Sequence, residues 1–149
     1  MNNIKNITLI AGETSGDQLA APLIQGLKQQ HPEAVITGFG GHLSKQAGMS
    51  LLMHCNDLAV VGLLEIVKNI KTIKKAFHLI KHQFKQNPPD LLILIDYPGF
   101  NLRVAKIAKR YQIPVLYYAS PQIWAWNYRR IHTIKKCIDH MAVLYPFEQ

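Results

Sequence analysis

The sequence predicts an α/β fold, a parallel sheet with crossover helices, on three observations. Short β-branched or aliphatic runs alternate with segments of helical periodicity. Leu91 to Ile95 contains no polar residue, as a strand covered on both faces requires. Ile7 to Ala11 runs into Gly12 to Asp17 (GETSGD), a small-residue loop that opens a helix. At 149 residues, with 48% hydrophobic and 17% charged, the chain suits one domain with a real core.

Along the chain, the helix after GETSGD runs to about Gln30 and is closed by Pro32. Val35 to Gly38 is a second strand, and the glycines at 38, 40 and 41 form a loop at its end. Leu63 to Lys85 is amphipathic: Leu63, Ile66, Val67, Ile70, Ile73, Phe77, Ile80 and Phe84 repeat at helical spacing. Asn87-Pro88-Pro89 breaks the chain before the Leu91 strand, and Asp96-Tyr97-Pro98-Gly99 stops that strand. Asn101 to Tyr111 is a helix, Val115 to Ala119 a strand, Tyr128 to Cys137 a basic helix, and Met141 to Leu144 begins another strand.

Composition narrows the functional classes. The formal charge of +8 favours anionic partners. Residues 1 to 11 lack the features of a signal peptide, and no apolar run approaches the ~18 residues of a membrane span. A cytosolic chain is expected. Cys55 and Cys137 stand apart, without a CxxC, and His31, His42, His54, His132 and His140 show no tight ligand spacing, so neither a disulfide nor a metal site is expected.

Four features can carry chemistry. GETSGD places backbone N–H groups at a helix N-terminus, where the dipole favours phosphate, yet it lacks the P-loop and GxGxxG patterns. It reads equally as an ordinary turn capped by Ser15 or Asp17. Asp96, at the carboxyl end of an apolar strand, is placed either to accept a hydroxyl proton or to cap its own loop. Trp124 and Trp126 either pack as core or line a sugar or acyl pocket. Lys68, Lys71, Lys75, His78, His82 and Lys85 form a basic stripe, which suits an anionic membrane surface, while core packing explains the apolar stripe beside it equally well.

Five blocks in order, AGETSGD (Ala11 to Asp17), LAVVGLLEIV (Leu58 to Val67), IDYPGFN (Ile95 to Asn101), SPQIWAW (Ser120 to Trp126) and LYPFE (Leu144 to Glu148), resemble the lipid-A-disaccharide synthase family. The chain departs from that pattern at Gly99, where an acidic residue is expected, and at Gly40-Gly41, where a Gly-Pro pair is more usual. The resemblance implies a GT-B glycosyltransferase of two Rossmann-like domains, with residues 1–149 as the N-terminal, acceptor-side domain and the UDP-binding C-terminal domain outside this chain. It implies transfer of 2,3-diacylglucosamine from its UDP carrier to 2,3-diacylglucosamine 1-phosphate (lipid X), with inversion and with neither metal nor cofactor. Asp96 then matches the general base on the acceptor 6-hydroxyl. Gly12, Glu13, Thr14, Ser15, Gly16, Asp17, Asn101, Ser120, Trp124 and Trp126 fall in the substrate-binding blocks. Lys68, Lys71, Lys75 and Lys85 fall where the family meets the inner membrane, giving a cytoplasmic, peripherally bound enzyme. The partners implied are both lipid substrates, that membrane and the C-terminal half, without nucleic acid, and the 149 residues alone are expected to be inactive. Two alternatives stay open: another UDP-GlcNAc-using transferase or epimerase, and a non-catalytic basic membrane-binding module.

Overall fold

A computed structural model describes residues 4–59, 69–118 and 129–142. The elements are β1 (Asn6–Ala11), α1 (Thr14–Gln30), β2 (Val35–Gly40), α2 (His42–Gln46), β3 (Ser50–His54), α3 (Cys55–Ala59), α4 (Ile70–Gln86), β4 (Leu91–Ile95), α5 (Pro98–Arg110), β5 (Val115–Tyr118), α6 (Arg129–Cys137) and β6 (His140–Ala142). All pairings are parallel, and the strand order is β3-β2-β1-β4-β5-β6. The winding direction reverses between β1 and β4, and in open α/β sheets the ligand crevice lies beyond the strand ends at such a reversal.

The two central strands are apolar because helices cover both of their faces. On one side Ile10, Leu92, Leu94, Val115 and Tyr117 pack against α4 and α5. On the other, Leu9, Ala11, Ile93 and Ile95 pack against Ala20 and Ile24 of α1. Carboxylates tie the strand starts: Asp90 accepts from the Lys5 and Asn6 amides at 2.8 and 2.9 Å, and Asp139 accepts from Val115 N–H at 2.8 Å. Such local acceptors fix where each parallel strand enters the sheet.

Several boundaries differ from the sequence reading. β2 continues to Gly40, and α2, β3 and α3 follow where only a glycine loop was expected. Both helices have five residues, too short for a periodic signal. α5 begins at Pro98 rather than Asn101, because a proline at the first helical position gives up an N–H that has no partner there anyway. β6 begins one residue early, at His140. In α4, Ala76, Ile80 and Phe84 are buried and Phe77 packs against the same core, so the apolar stripe of that helix is core packing from Ala76 onward. Ile70, at its start, is 49% exposed. The expected segment from Leu63 to Lys68, Ser120, Trp124 and Trp126 lies outside the described residues. Among the described residues no helix is long and apolar enough to cross a membrane.

Candidate active site

Ala11 of β1 is paired with Ile95 of β4, so Gly12 and Asp96 leave the sheet side by side at the switch point. Asp96 (φ 47°) and Tyr97 (φ 44°) are both left-handed. Two consecutive non-glycine residues in that region are costly, and a residue before proline is ordinarily driven toward extended angles. The surrounding contacts hold the loop there. Asn101 Nδ2 donates to the carbonyls of Ile95 at 3.0 Å and Asp96 at 2.7 Å, and the Tyr117 hydroxyl donates to the same Asp96 carbonyl at 2.5 Å. Burial, reinforced by the Asp96 charge, pushes the Tyr117 phenol far above its ordinary range, so it stays a donor. The backbone of Asp96 is thus clamped, and the residue is half-buried at the end of the strand.

Across from it stands Glu13, half-buried at the head of α1. Burial and then the Asp96 charge raise the Glu13 carboxyl above its ordinary value, so the two carboxylates sense each other. The Tyr97 ring fills the space beside Gly12 that a Cβ would occupy, and its hydroxyl reaches the Leu58 carbonyl at 3.5 Å. Phe100 stacks on both Tyr97 (6.1 Å) and Phe77 (4.7 Å), joining the crevice wall to α4. Neither Tyr97 nor Tyr117 was expected at the site, although Tyr97 sits between the aspartate and the proline, where a sharp turn was already evident.

The GETSGD residues divide by burial. Glu13, Thr14 and Ser15 keep surface, and the Thr14 and Ser15 amides, in the first turn of α1, have no acceptor within the helix. Gly12, Gly16 and Asp17 are buried and take part in packing contacts. Gly16 lets α1 approach the strands: a Cβ there would meet Ala11 Cβ at 3.3 Å. The Asp17 carboxylate accepts from the amides of Gly41 (2.7 Å), Leu43 (3.1 Å) and Ser44 (3.0 Å) and from the Ser44 hydroxyl, so it caps the neighbouring helix α2. Gly41 is a glycine because a Cβ would strike that carboxylate. Asn101, expected to bind substrate, is fully buried and braces the Asp96 loop.

Burial opposes ionisation of Asp17, but the Ser44 hydroxyl and the three amides outweigh it and hold the carboxyl below its ordinary 3.8. A depressed folded pKa means that the stabilisation is complete above the unfolded value near 4 and is lost as pH falls through the folded value. Asp17→Asn is therefore expected to lower stability by about 1–3 kcal/mol at pH 7 and by less at pH 3, as urea titrations at the two pH values would show. An equal loss at both would mean that charge plays no part in the cap.

Among the described residues no group of three or more His, Cys, Asp or Glu converges on a possible metal position. His78 and His82, one turn apart on α4, both face solvent, and that helix has no carboxylate.

A family model described as lipid-A-disaccharide synthetase matches residues 7–149. The lipid-A-disaccharide synthase of Coxiella burnetii (strain Dugway 5J108-111) is 53% identical over 145 residues, covering 97% of this chain and 39% of the relative. Lipid-A-disaccharide synthase 1 of Legionella pneumophila (strain Philadelphia 1) is 49% identical over 150 residues, covering 100% of this chain and 39% of the relative. The chain thus spans about two fifths of the length of these curated relatives. Solved structures share the fold: a putative UDP-N-acetylglucosamine 2-epimerase from Listeria monocytogenes (TM-score 0.63, 13% identity, 96% of this chain and 40% of that one) and the calicheamicin glycosyltransferase CalG4 (0.54, 14%, 94% and 37%). With the family model matching residues 7–149 of this chain and about half of its residues identical to those of curated members, this chain belongs to the lipid-A-disaccharide synthase family.

Proposed function

We propose that these residues form the acceptor-side domain of a two-domain, GT-B glycosyltransferase that joins two diacylated glucosamines. The donor is UDP-2,3-diacylglucosamine, the acceptor is 2,3-diacylglucosamine 1-phosphate, and the products are the β-1,6 disaccharide 1-phosphate and UDP. The observation that carries this reading is Asp96, held by its backbone in a left-handed loop at the switch point, with no hydrogen bond to its carboxylate among the described residues. In the proposed step the Asp96 carboxylate takes the proton of the acceptor 6-hydroxyl as that oxygen attacks the anomeric carbon from the face opposite UDP. The C–O bond to UDP breaks, and the diphosphate leaves with the electron pair. Thr14 and Ser15 amides at the start of α1 favour negative charge beside the cleft. Glu13, facing Asp96, is suited to orienting sugar hydroxyls as an acceptor.

Because both substrates carry two acyl chains, the reaction belongs at the cytoplasmic face of the inner membrane. The exposed Lys71, Lys75 and Lys85 of α4, together with Lys68, supply positive charge for that surface.

The test is disaccharide formation in detergent micelles by this chain, with and without a separately produced C-terminal half of a family member. Product only in the mixture is the expected outcome, since transfer needs donor and acceptor enclosed together. Turnover by the chain alone would refute the division of labour, and its absence from a mixture of two folded halves would count against the reaction.

A further inference from the structure

The charge of this protein is segregated to a degree that its overall +8 conceals. Helices α4, α5 and α6 carry 13 of the 17 Lys and Arg, five, four and four respectively, and none of the 9 Asp and Glu. The other elements and loops hold four cations against all nine acids, a balance of −5. Residues of all three helices join one core cluster, on the face of the sheet opposite the packing of α1. Among the described residues the only ion pair of this layer is Lys109 with Asp139, at 3.9 Å and solvent-exposed.

Two grooves run between these helices. The first, of about 540 Å³ between α4 and α5, is edged by Lys74, Lys81, Arg103, Lys106 and Arg110 above an apolar floor of Phe77 and Ile107. The second, of about 450 Å³ between α5 and α6, shares Lys106 and Arg110 and adds Lys109, His132 and Lys136. Every Lys and Arg named is exposed, and among the described residues no carboxylate lines either groove. Self-repulsion in such a layer opposes folding, and its compensation is an anionic partner.

We infer that the α4–α5–α6 layer is a docking surface for anionic phospholipid, with headgroup phosphates seated in the two grooves. This deepens the proposed membrane reading, on which it rests: it moves the principal contact from the basic stripe of α4 to the grooves centred on α5. Charge complementarity and groove shape favour a lipid surface. Several phosphates in one plane can meet all three helices at once, and the apolar groove floor accepts the aliphatic stems of lysines laid flat. α4 precedes β4 and runs antiparallel to it, so its exposed Ile70 lies at the crevice end of the layer. Docking by this layer therefore sets the crevice mouth beside the bilayer from which acylated substrates would come.

The experiment is co-flotation of the full 149-residue chain with vesicles of phosphatidylcholine alone or mixed with phosphatidylglycerol. Binding is expected only to the mixed vesicles. Lys106→Glu/Arg110→Glu is expected to weaken it by on the order of 100-fold, and the milder Lys106→Gln/Arg110→Gln by about tenfold or more, with circular dichroism unchanged. Lys5→Glu/Lys45→Glu alters net charge equally but lies off the layer, and it should bind within about threefold of the unaltered chain. Equal weakening by both glutamate pairs, or no binding of the unaltered chain, would overturn the inference. So would displacement by inorganic phosphate beyond that by chloride at matched ionic strength, which marks a free-anion site, or preferential capture by an RNA oligonucleotide. The micellar transfer assay does not depend on vesicle docking, so a failure of this inference and a failure of the proposed reaction are separable.

Discussion

Asp96→Asn, tested in this chain combined with the C-terminal half of a family member, is expected to lower turnover by about 10²–10⁴-fold, the range that a positioned general base contributes. The substitution is selective because fold and chemistry use different atoms of the residue. Asn101 and Tyr117 grip the Asp96 carbonyl, which Asn retains. Asparagine also tolerates the left-handed backbone found at φ 47°. What disappears is a carboxylate able to take a proton. Removing that charge also relieves Glu13, whose carboxyl is raised first by burial and then by Asp96, so thermal stability at pH 7 should be unchanged or slightly higher. A variant that melts normally and turns over normally would remove Asp96 from the mechanism. A variant that melts early would show instead that the side chain supports the loop.

The parts of the fold legible in the sequence were those whose cause is local. β1 and β4 are uniformly apolar because helices cover them on both sides, and the loop after β1 is small because α1 must start at once. α2, β3 and α3 were not legible: α2 is capped by Asp17, 27 residues before its partner Ser44, and no window of sequence contains both. The same distance concealed the role of Asp17, which stands in a block suited to phosphate yet points sideways into the next helix. At the candidate site, Asp96 was readable from its place after an apolar strand. Its clamp was not, because Tyr117 lies on β5 and meets Asp96 only through the strand order. The amphipathic stretch supported two readings, of which core packing accounts for Ala76, Ile80 and Phe84, and the lysines of that helix lie at the surface.

Gly38→Ala and Gly26→Ala are expected to move stability in opposite directions, although each adds one methyl group. Gly38 stands in β2 opposite Leu9 of the central strand, with φ at 153°, and a Cβ there would run into the Leu9 carbonyl. The obstruction is backbone in the middle of a six-stranded sheet, so no rotamer change relieves it. Relief requires β1 and β2 to separate, and the register of β2 on β3 already shifts between Gly38 and Phe39. The expected loss is about 3 kcal/mol or more, a large part of the 5–15 kcal/mol of an ordinary domain, and poor soluble yield should accompany it. Gly26 lies within α1, and a Cβ there would meet nothing within 4 Å. Alanine restricts the unfolded chain at that position without obstructing the folded one, a gain of about 0.5–1 kcal/mol. Urea midpoints of the two variants against the unaltered chain decide the matter: if Gly38→Ala matched or exceeded the parent, the close approach of β1 and β2 would not be what requires glycine there.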